Sequence, residues 1–258
     1  MIFYFTATGN SLYAAKSLED GDLRSIAQAV HDRDPRYKGD RIGVVCPGFG
    51  HEMPSLVKEF IARSEFETDY FYLILTYGNR HGGAAELAKQ FLESQGIAPA
   101  YVNVVLMADN FLPAFDMERQ KRLDKNVDGQ LAAIRTDICR GKRHIAPVTG
   151  RDRAAHRAFL SRSAELPPDT FHQLYRITDS CAGCEICTKV CPKGCFTVTD
   201  QRACWDPNGC ISCMACVHAC LTQAIQLNLP EKNPTARYRN PHVRLTELVR
   251  ANQQNRRC

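Results

Sequence analysis

The sequence predicts a doubly wound α/β domain built on a parallel sheet, followed by a small α+β domain organised by cysteines. Three observations predict it. Apolar and aromatic runs alternate with segments of helical periodicity from Met1 to about Asn110. Polar or glycine-rich loops follow three of those runs. Eight of the thirteen cysteines fall into two copies of C-x2-C-x2-C-x3-C in the carboxyl-terminal part.

Residues 2–5, 41–46, 70–75 and 101–107 read as strands, with a further short one at 23–27. Leu56, Val57, Phe60 and Ile61 share one side of a helix, and Ala84, Leu87, Ala88, Phe91 and Leu92 one side of another. A later helix repeats Leu123, Val127, Leu131, Ile134 and Ile138. Strands alternating with helices imply a parallel sheet, whose ligands sit beyond the carboxyl ends of the strands. Residues 141–170 are basic, with a helix over 152–164 and a stop at Pro167-Pro168. After them come two short strands, 196–198 and 224–227.

The first specialised loop is Thr6-Ala7-Thr8-Gly9-Asn10-Ser11. Alternating hydroxyls, a glycine and a helix start make a nest for a phosphate group. A plain helix cap at Thr8 or Asn10 draws on much the same residues. The loop has no lysine and is too short for a nucleoside-triphosphate loop, and it lacks G-x-G-x-x-G. Two more loops follow later strands. One carries Pro47, Gly48, Phe49, Gly50 and His51; the other carries Thr76, Tyr77, Gly78, Asn79, Arg80, His81 and Gly82. Glycines and an aromatic in each suit a flat ring with a polar edge.

The first cysteine repeat is Cys181, Cys184, Cys187 and Cys191, with Pro192 following; the second is Cys210, Cys213, Cys216 and Cys220, with Leu221 following. This spacing holds 4Fe–4S cubanes. Zinc sites pair cysteines across a long gap, often with histidine, and fit poorly. No C-x-x-C-H is present for a c-type haem. Cys195 and Cys204 lie outside the repeats and read as packing or loop thiols, with a ligand role as the alternative. Cys46 ends a strand, Cys139 sits on a helix and Cys258 ends the chain.

Lys and Arg number 33 against 28 Asp and Glu, a formal charge of +5. Two oxidised clusters and a phosphate group in the first loop would bring that to about −1, so nucleic-acid binding is not read from the bare chain. Basic residues crowd 119–157 and 237–257, as a solvated face or a docking patch. No run has the apolar length of a membrane span and no leader-like segment opens the chain, so the expectation is a cytoplasmic protein without an integral membrane segment. Many cysteines without a secretory signal favour metal ligation over disulfides.

From about Tyr175 to Leu229 the chain resembles the bacterial two-cluster ferredoxins. That resemblance implies crossed ligation, with Cys181, Cys184, Cys187 and Cys220 on one cluster and Cys210, Cys213, Cys216 and Cys191 on the other. The loop Thr6–Ser11 resembles the phosphate loop of flavodoxins, (Ser/Thr)-x-(Ser/Thr)-Gly-x-(Ser/Thr). By the same resemblance 47–53 and 76–83 hold the isoalloxazine of FMN, with Asn79 and the Gly78 backbone as candidates for contacting its redox-active nitrogens and the Gly78 peptide able to flip and donate to the reduced ring. The whole chain resembles fused flavodoxin-like and two-cluster ferredoxin proteins, including the Tyr238-Arg239-Asn240-Pro241 tail, which is otherwise a loose surface extension. The implied division is 1–140 for a flavodoxin-like FMN-binding domain, 141–170 for a basic linker and helix, 171–230 for the ferredoxin domain and 231–258 for an extension. The implied function is electron transfer between FMN, two 4Fe–4S clusters and a protein redox partner. The alternative is an FMN-dependent reductase of a quinone, nitro or azo compound, with His51, His81 and Arg80 supplying protons or orientation. A redox-sensing module is a third class. No nicotinamide-binding motif is evident.

Overall fold

In a computed structural model, residues 1–18 and 21–253 of the protein are described. In chain order the elements are β1 Ile2–Tyr4, α1 Asn10–Leu18, β2 Leu23–Ser25, α2 Ile26–Ala29, β3 Arg36–Lys38, β4 Arg41–Pro47, α3 Ser55–Arg63, β5 Glu65–Glu67, β6 Tyr70–Tyr77, α4 Ala84–Ser94, β7 Tyr101–Leu106, α5 Met117–Arg122, α6 Val127–Cys139, β8 His144–Ile145, α7 Gly150–Ala164, β9 Tyr175–Ile177, α8 Ile186–Val190, β10 Phe196–Thr199, β11 Arg202–Trp205, α9 Ala215–Ala219, β12 Ile225–Leu227 and α10 Leu245–Asn252. The chain clusters into two compact units. The first takes Met1–Phe5, Asn10–Ala108 and Asp124–Glu165; the second takes Thr6–Gly9, Asp109–Leu123 and the described residues from Leu166 onward.

The first unit is a six-stranded sheet ordered β2-β1-β4-β6-β7-β8, parallel throughout. With its helices it is consistent with a flavodoxin-like α/β fold. β4 and β6 read as continuous apolar runs because they are buried on both faces: Ile42, Val44, Val45, Leu73, Ile74 and Leu75 are wholly inaccessible. α3 buries Leu56, Val57, Phe60 and Ile61, as its periodicity requires. α1 packs on α6, and α4 on β7 and β8. The strand order reverses between β1 and β4, which sets the switch point at their carboxyl ends.

Three features depart from the sequence expectation. The helix expected from Leu123 begins at Val127; Leu123 is exposed and Asn126, at φ 46°, breaks the chain direction before it. Within 141–170, His144–Ile145 pairs with β7 as the sheet's last strand, and α7 belongs to the first unit. A two-stranded parallel ribbon, β3 with β5, stands apart from the main sheet. It is held by aromatics, with Tyr37 and Phe66 stacked at 5.8 Å and Phe3 4.5 Å from Tyr37 and 4.8 Å from Phe60.

The second unit is built from two antiparallel pairs, β10 with β11 and β12 with β9. The second repeat follows the first by 29 positions, Cys181 to Cys210. The backbone repeats with it: Gly183 and Ser212, Glu185 and Met214, and Gly194 and Gln223 all adopt left-handed φ between 52° and 65°. Ser212, Met214 and Gln223 hold that conformation at a cost of about 1–3 kcal/mol each. The tail is no loose extension, since Tyr238, Asn240, Val243, Leu248 and Asn252 are buried and α10 packs on α8. Cys258 and the end of the basic tail lie outside the described residues. Among the described residues no helix is long and apolar enough to cross a membrane.

Gly43 on β4 faces its registered neighbour Tyr72 on β6 so closely that a Cβ there would lie 2.2 Å from the tyrosine ring. Gly43→Ala is expected to destabilise the chain by about 1–3 kcal/mol through overpacking. Urea midpoints check this, and Gly43→Ala with Tyr72→Ala should cost less than the two changes summed.

Candidate functional site

The twelve described cysteines are free thiols. The eight repeat cysteines gather into two sets of four. Burial pushes the Cys187 thiol up to about 11, and the thiols whose charge adds to that are Cys181, Cys184 and Cys220. Burial likewise raises Cys216, and the thiols acting on it are Cys213, Cys191 and Cys210. Each set therefore takes three thiols from one repeat and one from the other. The second set lines a cavity together with Cys195 and Tyr175.

Backbone N–H groups converge on the sulfurs. Cys195 N–H donates to Cys191 Sγ at 3.2 Å, Ser212 N–H to Cys210 Sγ at 3.4 Å and Ala203 N–H to Cys181 Sγ at 3.4 Å. A hydrogen bond from the Cys195 thiol, with N–H groups of residues 193–195, brings Cys191 down to about 6 against its burial. The surroundings thus favour thiolate at that position, the form a metal needs. Cys195 is buried between Cys191 and Cys210, whereas Cys204 is exposed. Among the described residues no three His, Cys, Asp or Glu side chains are placed around a single metal ion. A cubane asks for something wider, one thiolate on each of four irons. Two buried donors near the second set have no protein partner, Tyr175 Oη and Trp205 Nε1. Four crossed thiols, inward N–H groups and orphaned donors are a donor set that fits an inorganic cluster bearing sulfide.

In the first unit, two of the glycine-rich loops are joined to each other and to α1. Ser11 Oγ and Thr76 Oγ1 lie 2.9 Å apart, and Gly48 N–H donates to Thr76 O at 2.9 Å. Phe49 and Glu52 exchange two backbone hydrogen bonds, which tightens the loop around Gly50. Pro47, Gly48, Phe49, Gly50, Tyr77 and Gly78 are half-buried, and Asn79 is exposed. The Gly78 carbonyl accepts from Lys125 Nζ at 2.7 Å. A flip of that peptide would break this bond. α7 lies on both loops. A Cβ at Gly50 would lie 2.5 Å from the Phe159 ring, and one at Gly82, at φ 54°, would lie 2.2 Å from His51. His51 Nδ1 is 3.4 Å from His156 Nδ1, and His81 Nε2 is 3.4 Å from Asp152 Oδ1.

No family model matches the chain. Among solved structures, it is similar to the crystal structure of a candidate flavoprotein from Bacteroides uniformis, with 19% identity and a TM-score of 0.32, over 42% of this chain and 90% of that one. A likeness at that score bears on neither fold nor site.

Thr6, Thr8 and Gly9 fall in the second unit, while Asn10 and Ser11 open α1 in the first. Thr6 and Thr8 are buried and their groups are engaged. Thr6 Oγ1 accepts from Gly9 N–H at 3.1 Å, Thr8 Oγ1 accepts from Asn110 Nδ2 at 2.6 Å, and Asn240 N–H donates to Thr8 O at 2.8 Å. Gly9 has φ 104°, and a Cβ on it would meet Asn240 at 2.9 Å. The close approach its glycine allows is therefore to the tail. Asn252 Nδ2 donates to Thr6 O at 2.9 Å. Asn110, Lys125, His156 and Asn252 had no spacing or motif to mark them in the sequence, whereas Asn240 lies in the tail segment quoted for the resemblance.

Burial, then the charges of His156, His81, Arg162 and Arg80, hold His51 below the usual histidine range. The folded chain thus binds that proton less readily than the unfolded one. Stability is then fully present above about pH 6.5, the ordinary histidine value, and is lost as pH falls below it. Urea midpoints against pH should fall more gently for His51→Gln than for the native chain between pH 7 and 5.

Proposed function

We propose that this protein is an electron-transfer flavo-iron–sulfur protein. It carries two 4Fe–4S clusters, one on Cys181, Cys184, Cys187 and Cys220 and one on Cys191, Cys210, Cys213 and Cys216. FMN is held within the first unit, with Asn10 and Ser11 at the start of α1 toward its phosphate and 47–53 and 76–83 at its ring. The single observation that carries the reading is the sorting of eight free thiols into two crossed sets, each with N–H groups on its sulfurs. FMN holds one or two electrons and each cubane one, so together they interconvert two-electron and one-electron traffic. In the proposed division, residues 1–140 carry the flavin and 171–230 the clusters. Their covalent link raises the effective concentration of one centre near the other.

The chain's own residues do no acid–base chemistry in this reading. The cysteines bind, the inward N–H groups stabilise charge on sulfur, and α7 with Phe159 limits water at the ring loops. A protein redox partner and a reducing, cytoplasmic setting complete the proposal. A second reading, a reductase of a quinone, nitro or azo compound, draws on His51 and His81, each of which meets a second titratable group on α7. Turnover of a small acceptor without any protein partner, lost in His81→Gln, would favour it over the carrier.

Purified without oxygen, the chain should contain about eight irons, eight sulfides and one FMN. Cys184→Ala should weaken or remove one cluster, up to about four irons, and leave FMN bound. Chemical analysis and absorbance spectra during stepwise reduction check both. A chain reconstituted with iron and sulfide that holds only zinc would end the proposal.

A further inference from the structure

The two thiol sets come from a repeated chain, yet their surroundings are unequal. In the first set Cys184 is exposed, Cys181 and Cys220 are half-buried and only Cys187 is buried; in the second none is exposed, Cys191 and Cys216 are buried, Cys210 and Cys213 are half-buried, and all four line a cavity. Reducing a cluster adds one negative charge. Burial makes that addition costlier, and donors to the sulfurs make it cheaper. Without compensation the enclosed centre would be the harder of the two to reduce.

The compensation is visible in two side chains. Tyr175, on β9, is buried, lines the cavity and has no partner for its hydroxyl. Its ring meets Trp205 of β11 edge-on, 4.8 Å between centroids. The Trp205 indole N–H is also buried without a hydrogen-bond partner of good geometry, and the thiol it favours in the ionised form is Cys210. An unsatisfied buried donor costs about 1–3 kcal/mol, so the pair, one lining the cavity and the other against its ring, calls for an acceptor there.

The repeat supplies an internal control. Shifted by its 29 positions, Tyr175 corresponds to Cys204, which is exposed, and Trp205 to Arg176. Arg176 turns its guanidinium to Leu227 O at 2.6 Å and Gln226 Oε1 at 2.7 Å. Neither equivalent is a buried orphan donor. The chain therefore places this pair at one centre only.

We propose that Tyr175 and Trp205 are positioning residues of the enclosed centre, donating hydrogen bonds to its sulfur atoms and raising its reduction potential to offset burial. The inference rests on the cluster reading above. It adds that one named pair sets the energy of one centre and leaves the other alone.

The test is a redox titration of the anaerobic holoprotein, followed by electron paramagnetic resonance, with dithionite as the electron donor. Cys184→Ser identifies the signals of the exposed centre. Tyr175→Phe removes the hydroxyl and keeps the ring; Trp205→Phe removes the indole donor. In the double variant the ratio of reduced to oxidised enclosed centre at its native midpoint should fall about tenfold, equivalent to 59 mV for one electron. The exposed centre should not move, and iron content should stay near eight. Full iron with both midpoints unchanged in Tyr175→Phe overturns the inference alone, and that variant decides the matter if Trp205→Phe does not fold. A native chain that never carries two cubanes overturns both this inference and the reading beneath it.

Discussion

The constraint on which the second unit depends is that neither repeat can complete a four-thiol set by itself. Three cysteines at x2 steps occupy one tight loop, and the fourth, past the short helix, points elsewhere. Cys191 accordingly lies with the thiols of the second repeat and Cys220 with those of the first. With clusters bound as proposed, this crossing would link the two halves in addition to their strands. β9, which precedes the first repeat, pairs with β12, which follows the second, while β10 and β11 close the middle.

The left-handed residues follow from the same demand. A loop that aims successive N–H groups at sulfur must turn more sharply than extended or right-handed backbone allows. Gly183 supplies the turn in the first repeat without strain, and the Gln201 carbonyl would stand 2.7 Å from any Cβ there. Ser212 makes the same turn in the second repeat with a side chain. That the chain tolerates non-glycine residues at Ser212 and Met214 indicates how strongly the surroundings fix the loop.

What was legible in the sequence is what repeats at short range. The continuous apolar runs of β4 and β6, the i, i+1, i+4, i+5 faces of α3, and the cysteine spacing each carry their cause within a dozen residues. The rest was hidden for identifiable reasons. His144–Ile145 is too short to show a period and becomes a strand only because β7 offers an edge. β3 and β5 are three-residue segments that persist because Tyr37, Phe66, Phe3 and Phe60 cluster, a contact among residues far apart in the chain. Leu123 continues a helical pattern that the backbone breaks at Asn126. At the candidate site, loop chemistry marked Ser11, Gly48 and Thr76, while their supports, such as Lys125 on the Gly78 carbonyl, came from sequence-distant positions with no motif.

His218 shows how those distant supports connect. Tyr238 N–H donates to its Nδ1 at 3.0 Å, so the neutral ring must carry its proton on Nε2, and that group lies 2.8 Å from Asn110 O. Both ring nitrogens are thereby used, and burial holds the residue down to about 4, well away from protonation at neutral pH. A charged ring would have to donate to a backbone N–H, which it cannot do. The neutral form is thus the only one compatible with the tail where it lies. His218 stands on α9 between Cys216 and Cys220; Asn110 in turn holds Thr8 through its side chain, and the tail holds Thr8 and Thr6 through Asn240 and Asn252. The cysteine-bearing helix and the buried threonine loop are therefore parts of one hydrogen-bonded assembly within the second unit. Order in one is order in the other, and the tail that looked dispensable in sequence is what joins them.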